Sequence, residues 1–239
     1  MKEQHQRTAM LLGEETIEKL QNAKVAVFGV GGVGGYVVEA LARCGVGALS
    51  LIDSDTVNPT NINRQIIALH STLGQYKVDV AAARVKDISP DTKVTTYPMF
   101  YLPENADRFD LSQYDYIVDA IDTVEAKVTL IENAKKAGVP IISSMGAGNK
   151  LDPTAFEISD MSKTSVCPLA KVIRTRLRAK GINHLKVVYS KERPMPPKLD
   201  GEGKLCPASI AFVPSVVGLI IAGEVVADLT GVRSLGLGG

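Results

Sequence analysis

Over its first 150 residues the chain alternates short apolar runs with segments of helical periodicity. Lys24–Phe28 is an apolar run that predicts a buried strand, and a Gly-rich turn at 29–35 follows it. From Tyr36 to Arg43, Val37, Val38, Ala40 and Leu41 share one helical face, and Gly45 and Gly47 stop that helix. Residues 48–52 predict a second strand, ending at Asp53. Strand, turn, helix and strand in this order make the parallel crossover unit, which is almost always right-handed. The pattern continues with a helix over 77–88, carrying Val78, Ala81, Ala82, Val85 and Ile88 at helical spacing, and a strand at 93–97. A strand buried on both faces follows at 116–121, then a helix over 123–137 closed by Gly138, then a strand at 140–143. A short helix at 14–22 precedes the first strand. The expected fold is α/β, a doubly wound, mostly parallel Rossmann-like sheet.

After about residue 152 the character changes. Residues 168–180 predict a basic helix, 185–190 a strand, and 192–205 a loop rich in Pro, Lys and Gly. Residues 212–229 predict a long apolar helix suited to buried packing or a dimer seam. The expected organisation is a core over 1–150 and a C-terminal α+β extension over 151–239, packed on the same domain.

Composition changes this picture little. Hydrophobic residues are 45% and charged residues 22%, ordinary for a globular chain. No run approaches 18 consecutive apolar residues, so no membrane span is expected. The first residues lack an apolar signal region, and the three cysteines are odd in number and widely spaced, so a cytoplasmic location is expected. Charge matters more. The net charge is +1, yet residues 171–204 hold ten Lys or Arg against three Asp or Glu. A basic segment on a mildly acidic body points to a polyanionic partner, against the plainer reading of a solvated helix face and loop.

Candidate chemistry begins at the first turn. Gly29, Gly31, Gly32 and Gly34 fit GxGxxG between a strand and a helix, the context in which backbone N–H groups receive an anion. Asp53, 19 residues beyond Gly34 at the end of the second strand, is placed to accept ribose hydroxyls. A dinucleotide and ATP both fit so far. The polar run 53–65, with Asp55, Asn61, Arg64 and Gln65, and then Lys77 at a helix start, favours ATP. Two cations beyond the ribose suit attack at an α-phosphorus with pyrophosphate leaving. Asp122, just past the strand at 116–121, is a candidate Mg²⁺ ligand.

GVGGVG, DSDTVNPTNINRQ, GQYK and DAID, in this order, make the chain resemble the E1-like adenylating enzymes, the group of ThiF, MoeB, HesA and the ubiquitin-activating enzymes, over roughly residues 7–150. That resemblance implies that Asp53 holds the ribose, that Asn61, Arg64 and Lys77 contact the phosphates, and that Asp122 binds Mg²⁺. It also implies that Arg7 reaches the phosphates of a second subunit, hence a homodimer. The chain departs from ThiF-like and MoeB-like members in lacking two CxxC pairs. Its segments SKTSVCPLAKVIRTRLR and CPASIAFVPSVVGLIIAGEVV resemble instead the tRNA threonylcarbamoyladenosine dehydratase branch. Members of that branch adenylate the carboxylate of threonylcarbamoyl-A37 in tRNA and close it to a ring with loss of AMP. The basic segment would then meet the anticodon arm, through Lys171, Arg174, Arg178 and Lys180 on the helix and Lys191, Arg193, Lys198 and Lys204 on the loop.

Two other readings compete. One is activation of a ubiquitin-like or sulfur-carrier protein tail, or another sulfur-transfer partner, which the same motifs serve. The other is an NAD-dependent oxidoreductase or a nucleotide sensor. Cys167 and Cys206 each precede a proline without a fixed base nearby, so a thioester role is not favoured, and Cys44 reads as core. His5, His70 and His184 form no triad or metal pattern.

Overall fold

The computed structural model describes residues 3–199, 203 and 205–232. Helices α1 (Gln6–Leu12) and α2 (Glu14–Asn22) lead into β1 (Lys24–Phe28). Then come α3 (Gly34–Arg43), β2 (Ala48–Ile52), α4 (Lys77–Ile88), β3 (Lys93–Tyr97), β4 (Tyr116–Asp119), α5 (Val124–Ala137) and β5 (Ile141–Ser144). The C-terminal half contributes β6 (Phe156–Asp160), α6 (Pro168–Ala179), β7 (Lys186–Ser190), a small ribbon of β8 (Lys198–Leu199) and β9 (Leu205–Cys206), and α7 (Phe212–Thr230).

Seven strands form one sheet in the order β3-β2-β1-β4-β5-β7-β6. Every pairing in it is parallel except β6 against β7. Strand order therefore reverses between β1 and β4, and the crevice beyond their carboxyl ends is where open α/β sheets bind ligands. The central strands β1 and β4 are buried on both faces because helices cover both. One core gathers Val25, Val27, Leu41, Leu51, Val85 and Val217 under α3, α4 and α7. The other gathers Phe28, Ile117, Leu130, Ile131, Ile173 and Leu177 under α5 and α6.

Several boundaries differ from expectation. The strand expected over 116–121 ends at Asp119, because its Oδ1 accepts the Ile121 amide and turns the chain out of the sheet. The expected loop over 192–205 contains β8 and part of β9, which pair antiparallel. Neither α1 nor β6 was anticipated. Helix α1 buries only Ala9, so it carries no apolar stripe to read. Strand β6 is a five-residue edge strand whose Phe156 alone is fully buried.

Helix α7 is the one described helix long and apolar enough to cross a membrane by length and composition. Here Val213, Val217, Ile221 and Val225 are buried in the core it shares with α3. Its charges are also spoken for: Lys186 Nζ lies 2.6 Å from both Glu224 and Asp228, and Asp228 accepts the buried Tyr116 hydroxyl at 2.6 Å.

Candidate functional site

A cavity of about 960 Å³ opens at the strand-order reversal. Its near wall is the nucleotide motif, with Gly31, Gly32, Asp53, Asp55, Asn61, Arg64, Gln65, Lys77 and Asp122 all lining it. Its far wall comes from the C-terminal half: Ser144–Lys150, the start of α6 at Cys167, Pro194–Met195 and Cys206–Ser209.

The glycines of the turn have different tasks. Gly29 has φ +87°, and a Cβ there would lie 2.5 Å from the Ala120 carbonyl oxygen, on the neighbouring strand end. A Cβ on Gly34 would lie 1.8 Å from the Gly29 carbonyl oxygen. These two allow the turn to close. A Cβ on Gly31 would meet only the Gln65 side chain, at 3.6 Å, so its open side faces the cavity. The α3 N-cap, Val33, makes no side-chain cap, and the Gly35 and Tyr36 amides of the first turn donate to the Gly31 and Val33 carbonyls.

Asp53 Oδ2 accepts the Val30 amide at 2.7 Å and Oδ1 accepts the Asp55 amide at 2.9 Å, so this carboxylate braces the Gly turn as well as facing the cavity. Burial pushes its acidity to higher pH, against the pull of the Lys77 charge and those two amides. Lys77 is nearly buried at the start of α4 and pairs with Asp55 at 2.6 Å. Arg64 donates to the Thr60 carbonyl and the Asn63 side chain, both at 2.9 Å. Asn61 is buried and caps its own turn, accepting the Asn58 amide at 3.0 Å. Gln65 Oε1 and Ser54 Oγ are buried on the same wall without a hydrogen-bond partner among the described residues. Buried polar atoms are rarely left so, and a polar ligand on this wall would satisfy them. Asp122 is exposed at the cavity edge.

Sequence reading missed the support beneath this floor. Lys127 and Asp119 are fully buried and paired at 2.8 Å. Lys127 also donates to Ser143 Oγ at 3.1 Å and to the Ser144 carbonyl at 2.9 Å, and Ser143 donates to Asp119 at 2.6 Å. The cluster ties the end of β4, where the Asp122 turn begins, to the end of β5, where the far wall begins. A signal existed: Lys127 shares its helical stripe with Leu130, Ile131 and Ala134, all of them buried.

Other expected residues lie elsewhere. Arg7 is exposed on α1 and does not line the cavity of its own chain. Of the basic helix, Lys171 and Arg178 are exposed without an ion pair among the described residues. Arg174 is partly buried and donates to the Thr164 carbonyl and hydroxyl. Lys180 pairs with Glu132 at 2.7 Å, Arg176 with Glu125, and Lys191 with Glu157 at 2.6 Å. Lys204 lies outside the described residues. Cys167 is buried and Cys206 exposed, yet both line the cavity, whereas Cys44 packs against the core as expected. No cluster of metal-binding type occurs among the described residues. A cation carried between phosphates needs only one or two carboxylates, which Asp122 suits.

Similarity to known proteins covers the chain. The model of the ThiF family matches residues 5–237. A tRNA threonylcarbamoyladenosine dehydratase of Bacillus subtilis (strain 168) is 47% identical over 242 residues, spanning 96% of this chain and 95% of its own length. The Escherichia coli (strain K12) protein of that name is 39% identical over 202 residues, covering 81% of this chain and 75% of its own. The crystal structure of E. coli tRNA N6-threonylcarbamoyladenosine dehydratase in complex with ATP superposes with a TM-score of 0.88 at 33% identity, over 95% of this chain and 94% of that one.

Proposed function

The chain belongs to the ThiF family, and from that premise we propose that it is an ATP-dependent tRNA threonylcarbamoyladenosine dehydratase acting through an acyl-adenylate. The observation that carries this reading is the single cavity joining the Gly turn, Arg64 and Lys77 to a wall built by the C-terminal half, in a chain related end to end to proteins of that name.

The near wall receives ATP. Gly31 leaves room for the phosphates, Asp53 accepts from the ribose, and Arg64 and Lys77 balance the triphosphate charge. Asn61 and Gln65, on the same wall, add polar contacts to the nucleotide. Asp122 would hold Mg²⁺, which supplies further neutralisation of the phosphates. A carboxylate oxygen of the threonylcarbamoyl group bonds to the α-phosphorus as the bond to pyrophosphate breaks. A nucleophilic atom of the same modified base then attacks the acyl carbon, its proton passes to solvent, and AMP leaves with the carboxylate oxygen. The RNA has lost the elements of water. Because the nucleophile belongs to the substrate, no enzyme thiol is required, and Cys167 and Cys206 serve as wall.

The polyanionic partner is the tRNA anticodon arm around A37, met by exposed cations such as Lys171 and Arg178, with Arg174 and Lys180 shaping that surface. The active form is a homodimer in which Arg7 of one copy reaches the phosphates of the other. Met10 and Leu11, about four-fifths exposed beside it on α1, support a covered face there. The setting is the cytoplasm, where modified tRNA and ATP are present.

The test is stoichiometry. tRNA bearing N6-threonylcarbamoyladenosine, with enzyme and ATP, should release one AMP and one pyrophosphate per cyclised base. Pyrophosphate exchange driven instead by a Gly-Gly-tailed protein would favour activation of a carrier protein. Tight NAD(H) binding without ATP affinity would end the adenylation reading.

A further inference from the structure

Lys150 presents an unbalanced charge in the far wall. The residue is 3% exposed, yet it lines the cavity. Lysines are seldom buried so fully without an anion, because a buried ammonium loses its hydration. Its ammonium carries three donors, and its one acceptor among the described residues is a neutral carbonyl, Gly146 O at 3.0 Å. No carboxylate lies within 4 Å of it among the described residues. The acids bonded to or belonging to the residues that follow it are engaged elsewhere. Glu192 accepts the Leu151 and Asp152 amides, and Asp152 accepts the Thr154 amide and hydroxyl. Among the described residues, the carboxylates that line the cavity, Asp53, Asp55 and Asp122, all belong to the near wall. The contrast with Lys127 is direct: equally buried, it has Asp119 at 2.8 Å.

The backbone around Lys150 is fixed rather than loose. Asn149 has φ +58°, an unusual conformation for a residue other than glycine. It is held by its amide donating to the Ala208 carbonyl at 2.7 Å, by its side-chain oxygen accepting the Ala208 amide at 2.7 Å, and by its carbonyl accepting the Met195 amide at 2.7 Å. A strained residue over-determined by its neighbours is typical of a ligand clamp. The clamp joins three separate chain segments beside this buried cation.

We infer that Lys150 is the binding residue for the substrate carboxylate, holding that oxygen for attack on the α-phosphorus of ATP. This rests on the dehydratase reading and names the group within it that recognises the acid. A small carboxylate on a side chain of the modified base fits so enclosed a cation, and an RNA backbone phosphate does not. The triphosphate already has Arg64 and Lys77 on the near wall.

The experiment compares two RNA stem-loops that differ at one group: N6-threonylcarbamoyladenosine with its free carboxylate, and the same base with that carboxylate converted to a primary amide. Affinities are measured with α,β-methylene ATP present, which cannot release pyrophosphate. Wild-type enzyme should prefer the acid by about 10- to 100-fold, the worth of a charge-assisted bond in a dry site. Lys150→Gln should bind both RNAs near the amide level while keeping its affinity for the nucleotide, and Lys150→Arg should retain part of the preference. A Lys150→Gln enzyme that still prefers the acid as wild type does would overturn the assignment. So would loss of nucleotide affinity with the acid preference intact, which would place Lys150 on the phosphates. If Lys150→Gln does not fold, the wild-type ratio decides, and equal binding of acid and amide refutes the inference. Turnover separates the two levels: wild type that cyclises the acid RNA while Lys150→Gln keeps its preference removes only Lys150's role, whereas wild type that never cyclises it removes the dehydratase reading as well.

Discussion

The two walls of the cavity are built in different ways. The near wall is assembled from consecutive strand ends of a parallel sheet, so its residues arrive in chain order: the Gly turn after β1, Asp53 after β2, Lys77 opening α4, Asp122 after β4. The far wall is assembled from segments distant in sequence, after β5, at the start of α6 and on both sides of the β8–β9 ribbon. Its geometry depends on contacts such as Asn149 with Ala208, which are 59 residues apart. Under the proposed function, the near wall would offer charge to a common substrate, ATP, whereas the far wall would discriminate one acceptor among many. Chemistry shared across a family sits on the sheet, and choice of substrate sits on the clamped loops.

The largest expected effect lies where the walls meet. Lys127→Met leaves Asp119 charged and buried, and should cost on the order of 3–5 kcal/mol of stability. Chemical denaturation measures it. Adding Asp119→Leu should return much of that loss, because no orphan charge remains, but should not restore turnover if the pair positions the Asp122 turn. A double variant with full activity would reduce the cluster to packing.

Next comes the near wall alone. Arg64→Ala or Lys77→Ala should lower turnover about 10²- to 10³-fold, the usual loss of one charge-stabilising donor, with RNA affinity unchanged. Lys77→Ala leaves only the exposed Asp55 unpaired, so its fold should hold. Single-turnover kinetics and RNA binding separate the walls here, and equal losses in both would blur the distinction.

A smaller effect is expected on the far side. Reversing charge at Lys171 and Arg178 should weaken RNA binding and reduce its log–log salt slope by roughly 0.7–0.9 per lost phosphate contact, leaving ATP affinity alone. An unchanged slope would return these residues to the solvated surface. Arg174→Ala is a different case, since it frees the Thr164 carbonyl and should disturb the entry to α6 more than the salt slope.

The smallest concerns pH. Burial raises the pKa of Asp53, so its protonation begins at a higher pH than for an ordinary aspartate, whose pKa is about 3.9. The folded protein takes up this proton before the unfolded chain does, so between the two values the group's contribution to stability falls as pH rises. Nucleotide affinity runs the other way: the carboxylate accepts the Val30 amide and the ribose, so ATP binding should weaken on acidification. Asp53→Asn should flatten that profile, as followed by nucleotide titration across the acid range.

The same division explains what could be read from sequence. The sheet, six of its seven strands and the near wall follow from apolar periodicity and strand-end motifs, both local in the chain. Even Gln65, one more polar residue in a polar run, stood in the right segment; its unpaired buried oxygen needed the structure. Lys150 had no such cue. Between Asn149 and Leu151 it reads as a loop lysine, and its burial comes from segments folded back from beyond Pro194. On the basic helix the sequence shows charge but not its partners: Arg174 donates to Thr164, Arg176 pairs with Glu125 and Lys180 with Glu132.

The central claim is that both walls serve one reaction on a modified tRNA base. Its most direct test is mass spectrometry of the A37 nucleoside after threonylcarbamoyl-modified tRNA is incubated with the enzyme and ATP. The account predicts ATP-dependent conversion to a nucleoside lighter by one water, with AMP formed in equal amount. An A37 nucleoside unchanged in mass, with the protein folded and ATP bound, would contradict it.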